Sequence, residues 1–495
     1  MSNIKNLVKD TTVYGLSSIL ARTLNFLLLP VYTRVLSKGE FGLYSEIFTY
    51  IAVLQVVLIF GMETGFFRYA SLKEYDSKKV FSTISGFLAA VSLIFFISIY
   101  FLSDSIGAKM GYYPLAMIYA AGILSIDCFT SVFFARLRYE RKAMKFAVYR
   151  SIKICSEILF NLLFLFLLPK YFVTHTNSVL LNFFTPEVSY VYVLAAVFCS
   201  ALVSLVIFIP DIIKTKYQIS FQYLKVIFIY SFPLMLAGLQ GILGDFIDRP
   251  LFRFLAPEGE LTWNEQLGEF TASARLAVIM SLFIQMFRYA AEPFFFSESS
   301  KTDIKPVYAR VMKYFTIFCV IVFLFISYYA GLLQYLLGKD FRAGMIILPI
   351  MLMAYLLSGI NQNLSMWYKL VSKTKIAIFI TFCGLMTSVL VNVIFMPKYS
   401  YMAAAWSHVA SYLVMLLVSW NLSKKYYKIP YQWGSIITYI LLGVAMFMVS
   451  KLIETNIMAL NLLSNTILLG LFIYFVYRKE RLQGMVTTLI KRIKK

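Results

Sequence analysis

Fourteen apolar runs, each of roughly twenty residues or more, take up most of this chain. They cover 11–36, 41–70, 80–103, 112–136, 146–168, 188–210, 222–248, 267–297, 307–331, 343–369, 375–396, 402–423, 432–452 and 457–477. A run of that length spans the hydrocarbon of a bilayer as a helix, which satisfies its own backbone hydrogen bonds. The expected fold class is an all-α polytopic membrane protein. Composition agrees, with 60% hydrophobic and 14% charged residues, where a soluble domain carries about a quarter charged. The first run is too long for a signal-peptide core and lacks a small-residue cleavage site, so it is expected to remain as a transmembrane helix.

The charge balance is strongly basic: 46 Lys+Arg against 24 Asp+Glu, a net +22. In a soluble protein this would suggest nucleic acid. Here topology accounts for it. With the N-terminus inside, 33 of the 46 cations fall in cytoplasmic segments and 10 in outside loops, while Arg22, Arg275 and Arg288 sit within helices. Every inside loop exceeds both outside neighbours, as cytoplasmic loops of membrane proteins do. Both termini are therefore expected in the cytoplasm, with no nucleic-acid partner. The outside loops are short, and no soluble domain is inserted. The basic tail from Arg478 to Lys495 either lies on the anionic inner leaflet or serves only as a topology anchor.

Catalytic signatures are missing from the pattern. Cys128, Cys155, Cys199, Cys319 and Cys383 all lie in apolar segments without metal-ligand spacing, and His175 and His408 are the two histidines. No Ser/His/Asp set, phosphate loop or paired-carboxylate motif is apparent, so the chain does not read as an enzyme and no metal is expected.

An internal repeat suggests how the helices are organised. Gly39-Glu40-Phe41 matches Gly268-Glu269-Phe270. Twenty-four residues after each glycine stands Glu63 or Glu292, followed by Phe66-Phe67 or Phe295-Phe296. Arg34-Val35-Leu36-Ser37 and Arg253-Phe254-Leu255-Ala256 precede the two copies. The copies open the second and eighth segments, six helices apart. This predicts two pseudo-symmetric six-helix lobes, 1–217 and 218–428, with the last two helices and tail at 429–495. Parallel repeats of this kind are a transporter architecture.

Polar residues within the segments fall into helical stripes. Gly15, Ser18, Arg22 and Asn25 share a face, as do Ser281, Gln285, Arg288 and Glu292. Arg150, Lys153, Glu157 and Asn161 form a third stripe. Asn361, Gln362, Asn363 and Ser365 cluster in the tenth segment, and Ser407, His408 and Ser411 in the twelfth. Such groups are costly at membrane depth and should face a wet interior or each other. Arg22 has no carboxylate within four residues, so it pairs with another helix or awaits an anion. Arg288 and Glu292 are spaced as a structural pair. Arg275 has no repeat counterpart, because the position seven past Gly39 is Glu46. Asp127 stands alone in an apolar run, as a coupling site or the partner of an arginine. Asp248, with Asp245 and Arg249, forms a local network or a gate.

Four stretches carry a family resemblance: LARTLNFLLLPVYTRVLSKGEFGLYS near the N-terminus, GMETGFFRYA at 61–70, ARLRYERKAMKF at 135–146, and the eighth segment. They resemble the polysaccharide-biosynthesis, or O-antigen-type, flippases of bacterial inner membranes, within the multidrug/oligosaccharidyl-lipid/polysaccharide exporter superfamily. The resemblance implies two six-helix lobes plus two helices, alternating access, and an undecaprenyl-diphosphate-linked oligosaccharide moved from the inner to the outer leaflet. It implies arginines of the first and eighth helices near the diphosphate. On this reading Arg22, Arg275 and Arg288 hold the diphosphate, a task that suits guanidinium groups. Asn25, Asn361, Asn363 and Ser407 meet the sugars. Asp127, Glu63, Glu292 and Asp248 serve gating or coupling. No cofactor is called for, and a coupling ion, H+ or Na+, stays open. Membrane lipids and glycan polymerase or assembly proteins are the implied partners, in lipopolysaccharide or related polysaccharide synthesis. The alternatives are a multidrug/cation antiporter of the same superfamily and a membrane glycan polymerase or ligase.

Overall fold

The structure, a computed structural model, describes residues 23, 26–174, 183–184, 189–298, 305–371, 373 and 375–480. Arg22 and Asn25 lie outside the described residues, as does the side chain of Glu292. Thirteen helices among the described residues are long and apolar enough to cross a membrane. They correspond one for one to the second through fourteenth apolar runs.

The chain forms two compact units. The first comprises Met1–Thr271 and Met396–Ser400, and the second Ala272–Phe395 and Tyr401–Lys495. The repeat suggests a boundary at 217/218, but the compact units divide about fifty residues later. The reason is packing by the helix Phe221–Phe246. Ile227 belongs to the same buried cluster as Phe66, Phe81, Phe133 and Phe208, and Phe228 stacks on Phe60 at 4.0 Å.

In the first unit, α1 (Leu29–Val35) leads into α2 (Lys38–Ile59), which is capped by the Ser37 hydroxyl accepting from the Glu40 amide. The expected single helix over 41–70 is interrupted. Phe60 and Gly61 both adopt left-handed backbone, with φ of 54° and 68°, before α3 (Met62–Ala70). A Cβ on Gly61 would also lie 2.8 Å from the Ser231 carbonyl oxygen, so glycine is required twice over. There follow α4 (Ser77–Met110), α5 (Pro114–Tyr139), α6 (Ala143–Phe166), α7 (Tyr190–Lys214), α8 (Phe221–Phe246) and the short α9 (Asp248–Leu255). Asp76, Ser189 and Ser220 accept from the first-turn amides of α4, α7 and α8, satisfying donors the helices leave open.

The division between units falls within α10 (Trp263–Glu298). The second unit continues with α11 (Lys305–Tyr328), α12 (Leu348–Leu364), α13 (Met366–Leu370), α14 (Lys375–Tyr399), α15 (Tyr401–Tyr426), α16 (Trp433–Leu452) and α17 (Met458–Lys479). The tenth apolar run is not one helix. A 3-10 stretch, Lys339–Ile347, precedes α12, and Ser365 interrupts the helix before α13. The Ser365 hydroxyl donates to the Gln362 carbonyl at 2.6 Å, a local bond that competes with the helical ladder. Near the C-terminus, Glu480 accepts from Lys313 of α11 and from the Tyr439 hydroxyl of α16 at 2.7 Å. These bonds fasten the last two helices to α11.

Candidate functional site

The first unit gathers its charges into pairs. At the start of α2 and α10 the two Gly-Glu-Phe copies lie close together. A Cβ on Gly42 would stand 1.8 Å from the Asn264 carbonyl oxygen, and one on Gly268 would stand 2.1 Å from that of Lys38. Only glycines let the backbones come this close. Lys38 donates to Glu269 at 2.9 Å, and Glu40 accepts from the Tyr190 amide at 2.7 Å, an anion at the N-terminus of α7.

Beside this crossing lies a fully buried carboxylate. Glu46 is 0% exposed and receives two hydrogen bonds from Arg253, at 2.9 and 2.7 Å. Tyr112 and Tyr50 also donate to it, at 2.5 and 3.2 Å. Arg253 donates to the Met110 carbonyl and lies 4.1 Å from the Trp263 ring and 5.0 Å from the Tyr112 ring. Burial opposes the guanidinium charge, but the bonds to Glu46 outweigh it and raise the Arg253 pKa. For Tyr112, burial and the neighbouring carboxylate push the phenol pKa well up. This is a closed network in which every charge has a partner.

The expected gating residues are likewise paired or enclosed. Asp127 on α5 accepts from Lys153 of α6 at 2.5 Å. Its partner is a lysine, not the expected arginine, and belongs to the stripe that also carries Glu157 and Asn161. Asn161 accepts in turn from the Tyr32 hydroxyl at 3.0 Å. Glu63 accepts from Arg138 at 2.6 Å. Asp248 is 1% exposed and occupies the first turn of α9.

The second unit is different in kind. On α12 and α13, Ser358, Asn361, Gln362, Ser365, Tyr368 and Lys369 recur at intervals of three or four residues and share one helical face. That face borders a cavity of about 170 Å³. Thr381 of α14 and Tyr412 and Ser419 of α15 complete its polar wall. Asn361 donates to the Tyr412 carbonyl at 3.4 Å. On the other side of α12 lies a narrow cleft of about 20 Å³, lined by Arg288, Gln362, Asn363, Phe287 and Phe315 among others. It has room for about one water molecule. Gln362 borders both spaces.

The other expected site residues fall elsewhere. Arg275 is half-buried on α10 and lines neither cavity. Ser407 is fully buried, accepts from the Asn392 carboxamide at 3.0 Å and donates to the Ala404 carbonyl at 2.8 Å. It stands in a helix–helix contact between α14 and α15. Ser358, Tyr368 and Lys369 extend the polar face but escaped the sequence reading, which stopped at the dense Asn361–Ser365 cluster. The three-and-four spacing was the signal that would have found them. Among the described residues no group of three or more His, Cys, Asp or Glu is placed to hold a metal ion.

Helices long and apolar enough to cross a membrane, in this number, define a polytopic membrane protein. Structural comparison agrees. The chain superposes on the lipid II flippase MurJ in its inward closed conformation with a TM-score of 0.72 at 13% identity, covering 94% of this chain and 99% of that one. It superposes on a multidrug resistance MATE family transporter of the MOP superfamily in its inward-facing conformation with a TM-score of 0.58 at 15% identity, covering 88% and 96%. The outward-facing MATE structure gives 0.56 at 16% identity, covering 84% and 95%. At these identities the likeness establishes the fold. The family comes from the sequence: the polysaccharide biosynthesis protein profile matches residues 7–299, and the chain belongs to that family. No curated protein sequence matches it.

Proposed function

We propose that this protein flips a lipid-linked oligosaccharide, carried on undecaprenyl diphosphate, from the inner to the outer leaflet of the bacterial plasma membrane. The observation that carries this reading is membership of the polysaccharide biosynthesis family in a chain with the fold of a lipid II flippase. Alternating access exposes the headgroup first to one face and then to the other. Arg22, Arg275 and Arg288 offer the diphosphate cationic, multi-donor partners. Asn25, Asn361 and Asn363 meet the sugars, and the buried Ser407 acts from behind them by fixing α14 against α15. Both termini lie in the cytoplasm. The paired carboxylates Asp127 and Glu63 and the buried Asp248, together with Glu292, stabilise or time the movement, with H+ or Na+ as the coupling ion. O-antigen or a related surface polysaccharide is the product line, and polymerases or other assembly proteins receive the cargo.

The test is transbilayer movement of a fluorescent polyprenyl-diphosphate oligosaccharide in proteoliposomes. Wild type is expected to move it, with the rate reduced about tenfold or more by Arg275→Ala, the loss of one charge-assisted contact. Absence of movement by folded wild type would overturn the reading.

The MATE likeness supports one second reading, drug/cation antiport. Efflux is the property that separates the two readings. Efflux of a cationic dye by the reconstituted protein, without lipid movement, would favour antiport. Lengthening of the glycan by the purified protein would favour a polymerase or ligase instead.

A further inference from the structure

The polar face of α12 and α13 raises a question that lipid flipping alone does not answer. Six consecutive face positions, Ser358 to Lys369, are all polar within a membrane-spanning segment. Polar side chains at such depth are expensive unless they meet protein, water or a ligand. In the first unit comparable groups meet protein, as Glu46 meets Arg253. Here they border about 170 Å³ of open space. Ser365 bonds to the Gln362 carbonyl and Asn361 to the Tyr412 carbonyl, and Tyr368 and Lys369 also have partners in the protein. The Gln362 carboxamide makes no protein hydrogen bond among the described residues, and it faces both the recess and the Arg288 cleft.

A carboxamide offers two donors and an acceptor in one plane. That is the complement of neighbouring sugar hydroxyls, each both donor and acceptor. Tyr368 and Tyr412 add aromatic edges of the kind that border carbohydrate sites, and Thr381 and Ser419 add hydroxyls from the opposite walls. Ser407 is not part of this wall.

We propose that the recess between α12, α14 and α15 is a sugar subsite, and that Gln362 is its specificity-determining residue. The proposal rests on the flippase reading. It adds that the first sugar lies in the recess on the Thr381 side of α12, in contact with Gln362. Selection follows from unmade bonds: a site that spends buried polar groups on a sugar discriminates strongly against a ligand without one.

The experiment compares two probes on the full chain in lipid nanodiscs: a polyprenyl diphosphate and the same lipid bearing one N-acetylhexosamine. Wild type is expected to bind the sugar-bearing lipid about tenfold more tightly. Gln362→Leu, similar in size but without hydrogen-bonding groups, is expected to bring that preference below about threefold, the sugar-bearing lipid losing more affinity than the bare one. Thr381→Val, on a different helix, is expected to reduce the preference by a smaller factor, which guards against a folding defect in one variant. Arg288→Ala is expected to weaken both probes equally. A Gln362→Leu protein that keeps the full preference overturns the sugar subsite, as does a wild type with no preference. Failure of wild type to bind either lipid overturns the flippase reading instead.

Discussion

Glu46 and Gln362 are both polar residues inside membrane-spanning helices, and their surroundings are opposite. Glu46 has four hydrogen bonds from three side chains and no exposure. Gln362 borders open space on both sides of its helix. The first arrangement is one a low-dielectric interior requires: a carboxylate removed from water must recover its solvation from fixed donors. The second is one such an interior resists, since an amide that could have been leucine is kept where lipid-like packing would be cheaper. Polarity within the bilayer therefore marks two different things. Where it is answered by protein it holds helices together, and where it is answered by a cavity it waits for something that passes through.

The sharpest way to break this contrast is to remove the carboxylate. Glu46→Ala leaves Arg253 buried without its partner and is expected to cost about 3–5 kcal/mol, read as a fall in thermal unfolding temperature in nanodiscs. The double variant with Arg253→Met should recover most of that loss. A single variant that costs under about 1 kcal/mol would mean the network is not structural. Gly42→Ala comes next. Its methyl group would sit on the Asn264 carbonyl, and forcing the segments apart is expected to cost about 1–3 kcal/mol, with transport falling in step. A variant of normal stability would show that the crossing gives way easily.

Ser407→Ala sharpens the other side. It removes a buried hydroxyl bonded to Asn392, so a loss of about 1–2 kcal/mol is expected. Transport per folded molecule should stay unchanged. A selective transport defect at full stability would restore Ser407 to direct sugar contact.

The smallest effect is one of pH. Burial works against the charge of Glu480, but the bonds from Lys313 and Tyr439 outweigh it and hold the carboxyl below its usual value of 4.5. A group depressed in the folded state contributes stability above its unfolded pKa and loses it as pH falls through the folded one. Wild type should thus lose part of its stability on acidification below about pH 4.5. Glu480→Gln, already lacking the charge, should show a flatter profile in the same range. Parallel profiles would remove Glu480 from the fastening of the last two helices.

Much of the architecture could be read before any contact was known. Each of the thirteen described spans overlaps an apolar run, because twenty apolar residues in a bilayer have one way to satisfy their backbone. The interruptions were harder to see. The break at Phe60–Gly61 depends on α8 pressing against it, and the one at Ser365 on a hydroxyl choosing a nearby carbonyl. The boundary between units differs from the repeat's for a similar reason: the repeat is a pattern along the chain, whereas compactness follows where Ile227 and Phe228 pack.

The sequence by itself determined that this chain is a many-helix membrane protein of the polysaccharide biosynthesis family, because hydropathy and motif are local properties. It also marked which polar residues were out of place. Only the tertiary structure decided what each of them meets. Arg253 lies 207 residues from Glu46, and Asp127 lies 26 from Lys153. No periodicity within one helix states which partner arrives from another. The face from Ser358 to Lys369 was written in the sequence at helical spacing, but its meaning depended on whether α14 and α15 filled the space before it. They leave it open.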